Sequence, residues 1–178
     1  KPRLSQDKIK YPMDAFPFLH CESSPDTQLR VSKLFAKNTF KNRILSPIES
    51  PKTKPPLLRI GYFSPDFREH PVAQMIEGVL RYHDRSKFQI FAYSFSQISD
   101  GEMREKIERS VDTFRDVKAK SAADIAQLAR EDRIDIALDL TGYTRNNRAN
   151  IFNQRAAPIQ INYLGYPGTM GANFMDYI

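Results

Sequence analysis

From Leu57 onward the chain alternates short β-rich apolar runs with amphipathic helical patterns, an order that a parallel sheet with helical crossovers accepts and few other folds do. Five strands can be placed: Leu58 to Phe63, Phe88 to Phe95, Thr113 to Val117, Ile134 to Leu140 and Ile159 to Leu164. Each is short and at least partly apolar, as buried strands are. Val72, Met75, Ile76, Val79 and Leu80 recur at i, i+3, i+4, i+7, i+8, so residues 71–82 should form a helix that lays this face on the sheet. Ala122, Ile125, Ala126 and Ala129 repeat the pattern behind a capping pair, Ser121 and Asp124, and Gly101-Glu102 opens a weaker helix near residues 102–110. Right-handed crossovers with helices on both faces favour a Rossmann-like, doubly wound α/β fold of about five parallel strands in the order 3-2-1-4-5.

Residues 1–56 read differently. They hold most of the prolines, including Pro47, Pro51, Pro55 and Pro56, and little periodicity, which marks a connector ahead of a lobe at 57–178. One short helix is expected in it over about residues 25–37, capped by Ser24, opened by Pro25 and facing inward through Val31, Leu34 and Phe35. Charge divides at nearly the same place. Residues 1–60 carry 12 Lys/Arg against 5 Asp/Glu, or +7, and residues 61–178 carry 15 against 16, or −1. The net +6 is therefore a property of the leader, and with no zinc-finger spacing or RNA-recognition signature the globular part is not expected to bind nucleic acid. No run of about eighteen apolar residues suggests a membrane helix, and the start, Lys1-Pro2-Arg3-Leu4, is not a signal peptide, so a soluble cytoplasmic protein is expected. A lone cysteine, Cys21, forms no internal disulfide and no zinc cluster, so neither metal nor cofactor is expected.

In an open parallel sheet, ligands bind beyond the carboxyl ends of the strands. Three unusual loops fall there. The first, Ser64-Pro65-Asp66-Phe67-Arg68-Glu69-His70-Pro71, leads into a helix whose first position suits Pro71, with His70 at the helix entrance, where backbone N–H groups favour anions. Two readings stay open: Asp66 and His70 organise a turn, or they serve a ligand. The second loop, residues 141–148, carries Tyr143, Thr144 and two arginines suited to a polar ligand, or to capping a helix. The third, residues 164–171, holds Leu164, Gly165, Pro167 and Thr169, and its glycines allow close backbone approach to a ligand, or a tight turn. The convergence of all three on one sheet edge favours the functional reading.

At these residues the chain resembles the O-GlcNAc transferase and SPINDLY family: Leu58-Arg59-Ile60-Gly61-Tyr62, Asp66-Phe67-x-x-His70-Pro71, Gly142-Tyr143-Thr144, Ala157-Pro158-Ile159-Gln160, Leu164-Gly165-Tyr166-Pro167-Gly168-Thr169, Gly171-Ala172, and Phe174-Met175-Asp176-Tyr177-Ile178 stand in family order and spacing. The resemblance runs from about Leu57 to the end. It implies the N-terminal half of a two-lobed GT-B type glycosyltransferase, preceded in the family by tetratricopeptide repeats that engage protein substrates and followed by a nucleotide-binding lobe. It further implies inverting, metal-independent transfer of a sugar, GlcNAc from UDP-GlcNAc or fucose from GDP-fucose, to Ser/Thr hydroxyls of proteins, with this half inactive alone. A non-catalytic scaffold that keeps the lobe is the other outcome. By resemblance Asp66 and His70 are the catalytic candidates, and Pro71, Tyr143, Thr144, Leu164, Gly165, Pro167 and Thr169 bind substrate. The chain departs from the animal pattern at Val72 and Gln74, and the expected helix near 25–37 lacks a histidine that relatives offer as base.

Overall fold

The computed structural model describes residues 15–21, 24–41, 43, 45–48 and 55–178, so Pro51 and the first fourteen residues of the expected connector lie outside it. Strands β1 (Leu58–Ser64), β2 (Phe88–Ser94), β3 (Thr113–Asp116), β4 (Ile136–Asp139) and β5 (Ile159–Asn162) form one sheet in the order β3-β2-β1-β4-β5, every pair parallel. This is the expected order. The last three strands are shorter than their apolar runs, and the difference lies at their ends: Leu140 N still donates to Phe63 O at 3.1 Å, whereas Leu164 leaves the strand with φ 72°.

Period-two alternation divides the strand side chains between two cores. Ile60 and Tyr62 of β1 and Ile90 and Ala92 of β2 face the helices α3 (Pro71–Tyr82) and α4 (Glu102–Arg109). Phe63, Phe91 and Tyr93 face the other way, onto α5 (Ala122–Glu131) and α6 (Asn150–Asn153), with Phe63 and Tyr93 stacked at 4.4 Å. Both faces are therefore covered, as an all-parallel sheet requires. The capping box of α5 is complete: Asp124 N donates to Ser121 Oγ at 3.2 Å, and Ser121 N to Asp124 Oδ2 at 3.3 Å.

Two expected helix faces need correction. On α3 the buried residues are Val72, Ala73, Ile76 and Leu80, while Met75 is 55% and Val79 41% exposed. At 3.6 residues per turn the contact stripe is rotated by roughly 50° towards Ala73. The second correction is on α2 (Pro25–Thr39), begun at Ser24 and Pro25 as expected. It buries Val31, Ser32 and Ala36, with Leu34 and Phe35 only partly covered.

A helix the periodicity did not predict, α1 (Ala15–Cys21), buries Ala15 and Phe18. Together α1 and α2 contribute to the core on the α5 side, where Phe35 and Phe40 pack on Tyr143 at 4.8 and 6.0 Å. Among the described residues no helix is long and apolar enough to cross a membrane, no cluster of three metal-ligating side chains occurs, and Cys21 is exposed.

Candidate active site at the carboxyl edge of the sheet

The order β1-β4-β5 places the three unusual loops side by side. Phe63 is in register with Asp139 and Asp139 with Asn162, so the strands end together.

In the first loop, Phe67 is fully buried under α3 and pins the turn, while Ser64 Oγ accepts from Asp66 N at 2.9 Å. Asp66 is only 8% exposed. Arg68 Nη2 donates to its Oδ1 at 2.9 Å, and its Oδ2 lies 3.7 Å from His70 Nδ1. His70 stands at the helix entrance in a specific role: it is the N-cap of α3, and its Nδ1 accepts from Val72 N at 3.2 Å. A nitrogen that accepts from an N–H carries no proton, so the neutral ring keeps its hydrogen on Nε2. His70 remains partly exposed and Pro71, at the first helical position, is exposed.

The second loop is more inward than the sequence suggested. Tyr143 is 6% exposed, its ring lies among Phe35, Phe40 and Tyr166, and its hydroxyl donates to Met170 O at 2.9 Å. That side chain is a brace between the second and third loops. Burial pushes its phenol above the ordinary tyrosine range. Thr144 Oγ1 is likewise turned inward, donating to Thr141 O at 2.9 Å.

The third loop lies directly on the end of β4. A Cβ at Gly165 would sit 1.9 Å from Leu140 O, and one at Gly168 would meet Leu19 of α1 at 2.7 Å. The preceding residue, Leu164, holds φ 72°, an uncommon conformation for a bulky side chain, and stays 37% exposed. Pro167 is exposed, and Thr169 Oγ1 accepts from Gly171 N at 3.3 Å. A cavity of about 1060 Å³ opens between α2 and this segment; it includes Thr169 and Asn162 but neither Asp66 nor His70. We expect Gly165→Ala to lower the stability of the chain by about 1–3 kcal/mol, the range for overpacking, because the obstructing atom is backbone. Thermal unfolding checks this, and an unchanged midpoint would mean that the loop does not rest on Leu140.

One residue of the edge was missed by sequence reasoning. Asp139 closes β4 at 2% exposure, with Thr141 N donating to its Oδ1 at 2.9 Å. Its Oδ2, together with Thr141 Oγ1 and Asn162 Oδ1, is buried without a hydrogen-bond partner among the described residues. Desolvation dominates over the hydrogen bonds from Thr141 and Gly142 and lifts its carboxyl from 3.8 to about 7. The available signal was an acidic residue ending an otherwise apolar interior strand, two positions before Thr141-Gly142-Tyr143.

Residues 30–178 match the family described as Glycosyl transferase family 41. The probable UDP-N-acetylglucosamine–peptide N-acetylglucosaminyltransferase SEC of Arabidopsis thaliana is 40% identical over 121 residues, which is 68% of this chain and 12% of that protein. The Caenorhabditis elegans UDP-N-acetylglucosamine–peptide N-acetylglucosaminyltransferase is 42% identical over 127 residues, 68% of this chain and 11% of the relative. The Arabidopsis thaliana SPINDLY protein, with the same probable activity in its name, is 35% identical over 159 residues, 88% of this chain and 17% of the relative. In structure, a point mutant of Thermobaculum terrenum O-GlcNAc transferase superimposes with a TM-score of 0.82 at 30% identity, covering 91% of this chain and 32% of that one. The chain thus spans a small part of the length of the relatives it matches.

Proposed function

Since the chain belongs to glycosyl transferase family 41, we propose that it is the N-terminal catalytic lobe of a protein O-linked N-acetylglucosaminyltransferase. In this reading the whole protein moves GlcNAc from UDP-GlcNAc to Ser/Thr hydroxyls of proteins, with inversion and without a metal. The observation that carries the reading is the meeting of the first, second and third loops at one carboxyl edge, on a fold that superimposes on an O-GlcNAc transferase. A second, nucleotide-binding lobe would face this edge, and tetratricopeptide repeats would deliver the protein acceptor. The 178-residue chain alone is expected to be inactive.

In an inverting transfer the acceptor oxygen bonds to the anomeric carbon as the bond from that carbon to the diphosphate breaks. The hydroxyl loses its proton, and charge grows on the leaving diphosphate. His70, with its hydrogen on Nε2, is suited to donate to a sugar or phosphate oxygen, and Asp66 to accept or relay the acceptor proton. Leu164, Gly165 and Pro167 offer backbone and apolar surface to the sugar, and Pro71, Thr144 and Thr169 are further candidates for substrate contact. Tyr143 acts on substrate only through the loop it braces.

The relatives described above, SPINDLY included, are named for UDP-N-acetylglucosamine, and none favours GDP-fucose as donor. The test is to incubate the full-length protein with an acceptor protein and either UDP-GlcNAc or GDP-fucose, reading the mass added to the acceptor. A HexNAc increment is expected. A deoxyhexose increment would replace the donor, and no increment from either would leave the lobe as a scaffold.

A further inference from the structure

We propose that Arg68 is a positioning residue of this edge: it sets the tautomer of His70 by occupying Asp66, and Glu69 holds it there by anchoring the loop to α4. The inference rests on the first loop being functional, but its geometry stands without that reading.

The chain of contacts begins at α4. Its N-cap is Gly101, with φ 109° and no side chain to offer, so the first amides of the helix need an acceptor from elsewhere. Glu69 supplies it across 34 residues, its Oε1 accepting from Met103 N at 3.0 Å, and a carboxylate is also the favourable charge at a helix N-terminus. The loop residue just before His70 is therefore tied to a neighbouring helix. Arg68 then bridges back. One arm of its guanidinium, Nη1, donates to Glu69 O at 3.3 Å, and the other, Nη2, to Asp66 Oδ1 at 2.9 Å, while Arg68 N donates to Asp66 O at 2.8 Å.

This arrangement resolves a competition at one atom. His70 Nδ1 lies 3.2 Å from Val72 N, which needs an acceptor, and 3.7 Å from Asp66 Oδ2, which wants a donor. A single ring nitrogen cannot serve both. A carboxylate with 11% of its side chain exposed and no cation beside it would draw a proton onto Nδ1, abandoning the cap of α3 and moving the hydrogen from Nε2. Arg68 satisfies Asp66 with a charge-assisted bond, so Nδ1 stays an acceptor and Nε2–H stays a donor. Lysine would supply the charge without the two-armed reach to Asp66 and Glu69.

The chain has three histidines, so a sample labelled with ¹⁵N-histidine reports each ring nitrogen, and His70 is assigned by its loss in His70→Asn. At about pH 8 we expect wild type to show His70 with Nε2 protonated and Nδ1 bare. In Arg68→Met the Nδ1-protonated form should become the major one and the Val72 amide should lose its exchange protection. Arg68→Lys should show a mixture, and the double variant Asp66→Asn/Arg68→Met should return to the wild-type pattern, because the competing carboxylate is gone. An unchanged His70 spectrum in Arg68→Met overturns the inference, and if that variant does not fold, a purely wild-type spectrum in Arg68→Lys does so instead. A tautomer shift with full transfer activity in the full-length protein would uphold the positioning but unseat His70 from the transferase reading.

Discussion

Replacing His70 by alanine in the full-length protein should lower transfer to a peptide by about 100- to 10,000-fold, the range that general acid–base groups contribute. The hydrogen bond from Val72 N to Nδ1 means that alanine also removes a helix cap. Loss of a cap costs about 1 kcal/mol, or roughly 2–4 °C in Tm for a domain of this size. The informative partner is therefore His70→Asn, because asparagine is among the best N-cap residues and has no imidazole. We expect His70→Asn to unfold at the wild-type temperature while remaining as inactive as His70→Ala. Recovery of turnover in His70→Asn would show that the imidazole serves only as a cap. Asp66→Asn should also lose activity, and there the distinction from instability comes from measuring turnover and unfolding on the same sample.

Asp139→Asn should stabilise the chain at pH 8 and leave it unchanged near pH 4. Below about pH 3.8 the carboxyl is protonated in both folded and unfolded chains, so its burial adds no pH-dependent penalty. As pH rises the unfolded chain releases its proton first. The stability associated with the folded state's bound proton is then lost progressively until about pH 7, above which the loss is constant. The interval between 3.8 and about 7 corresponds to about 4 kcal/mol at most. Asparagine stays neutral throughout, can still accept from Thr141 N, and brings an amide to a region where Asn162 Oδ1 and Thr141 Oγ1 lack partners among the described residues. The expected result is a variant with a Tm higher by about 10 °C at pH 8 and equal at pH 4. Equal midpoints at both pH values would mean that folding does not raise the Asp139 carboxyl above its ordinary value. If the variant is more stable and also transfers no sugar, the carboxylate is kept for chemistry at a cost in stability, as at other working sites.

Much of the fold was legible because its signals are local. The runs starting at Leu58, Phe88 and Ile159 mark strands by their β-branched and aromatic content, Ser121 with Asp124 marks a helix start, and the alternation of these signals leaves few topologies. The candidate site was legible to the same depth: Asp66, His70 and Gly165 stand after strand ends, and that position alone assigns them to the edge. The helix α1 was not legible, since seven residues around Pro17 give too little periodicity, and the single turn of α6 gives less.

What the sequence determined by itself was the order of elements, the parallel sheet and the three loops, because apolar period, caps and turn residues act within a few positions of the chain. What only the tertiary structure decided was how each polar group on that edge is used. His70 as a cap, Tyr143 as a brace, Arg68 on Asp66 and the raised carboxyl of Asp139 all depend on neighbours brought together by strand pairing and burial, which residue spacing does not encode.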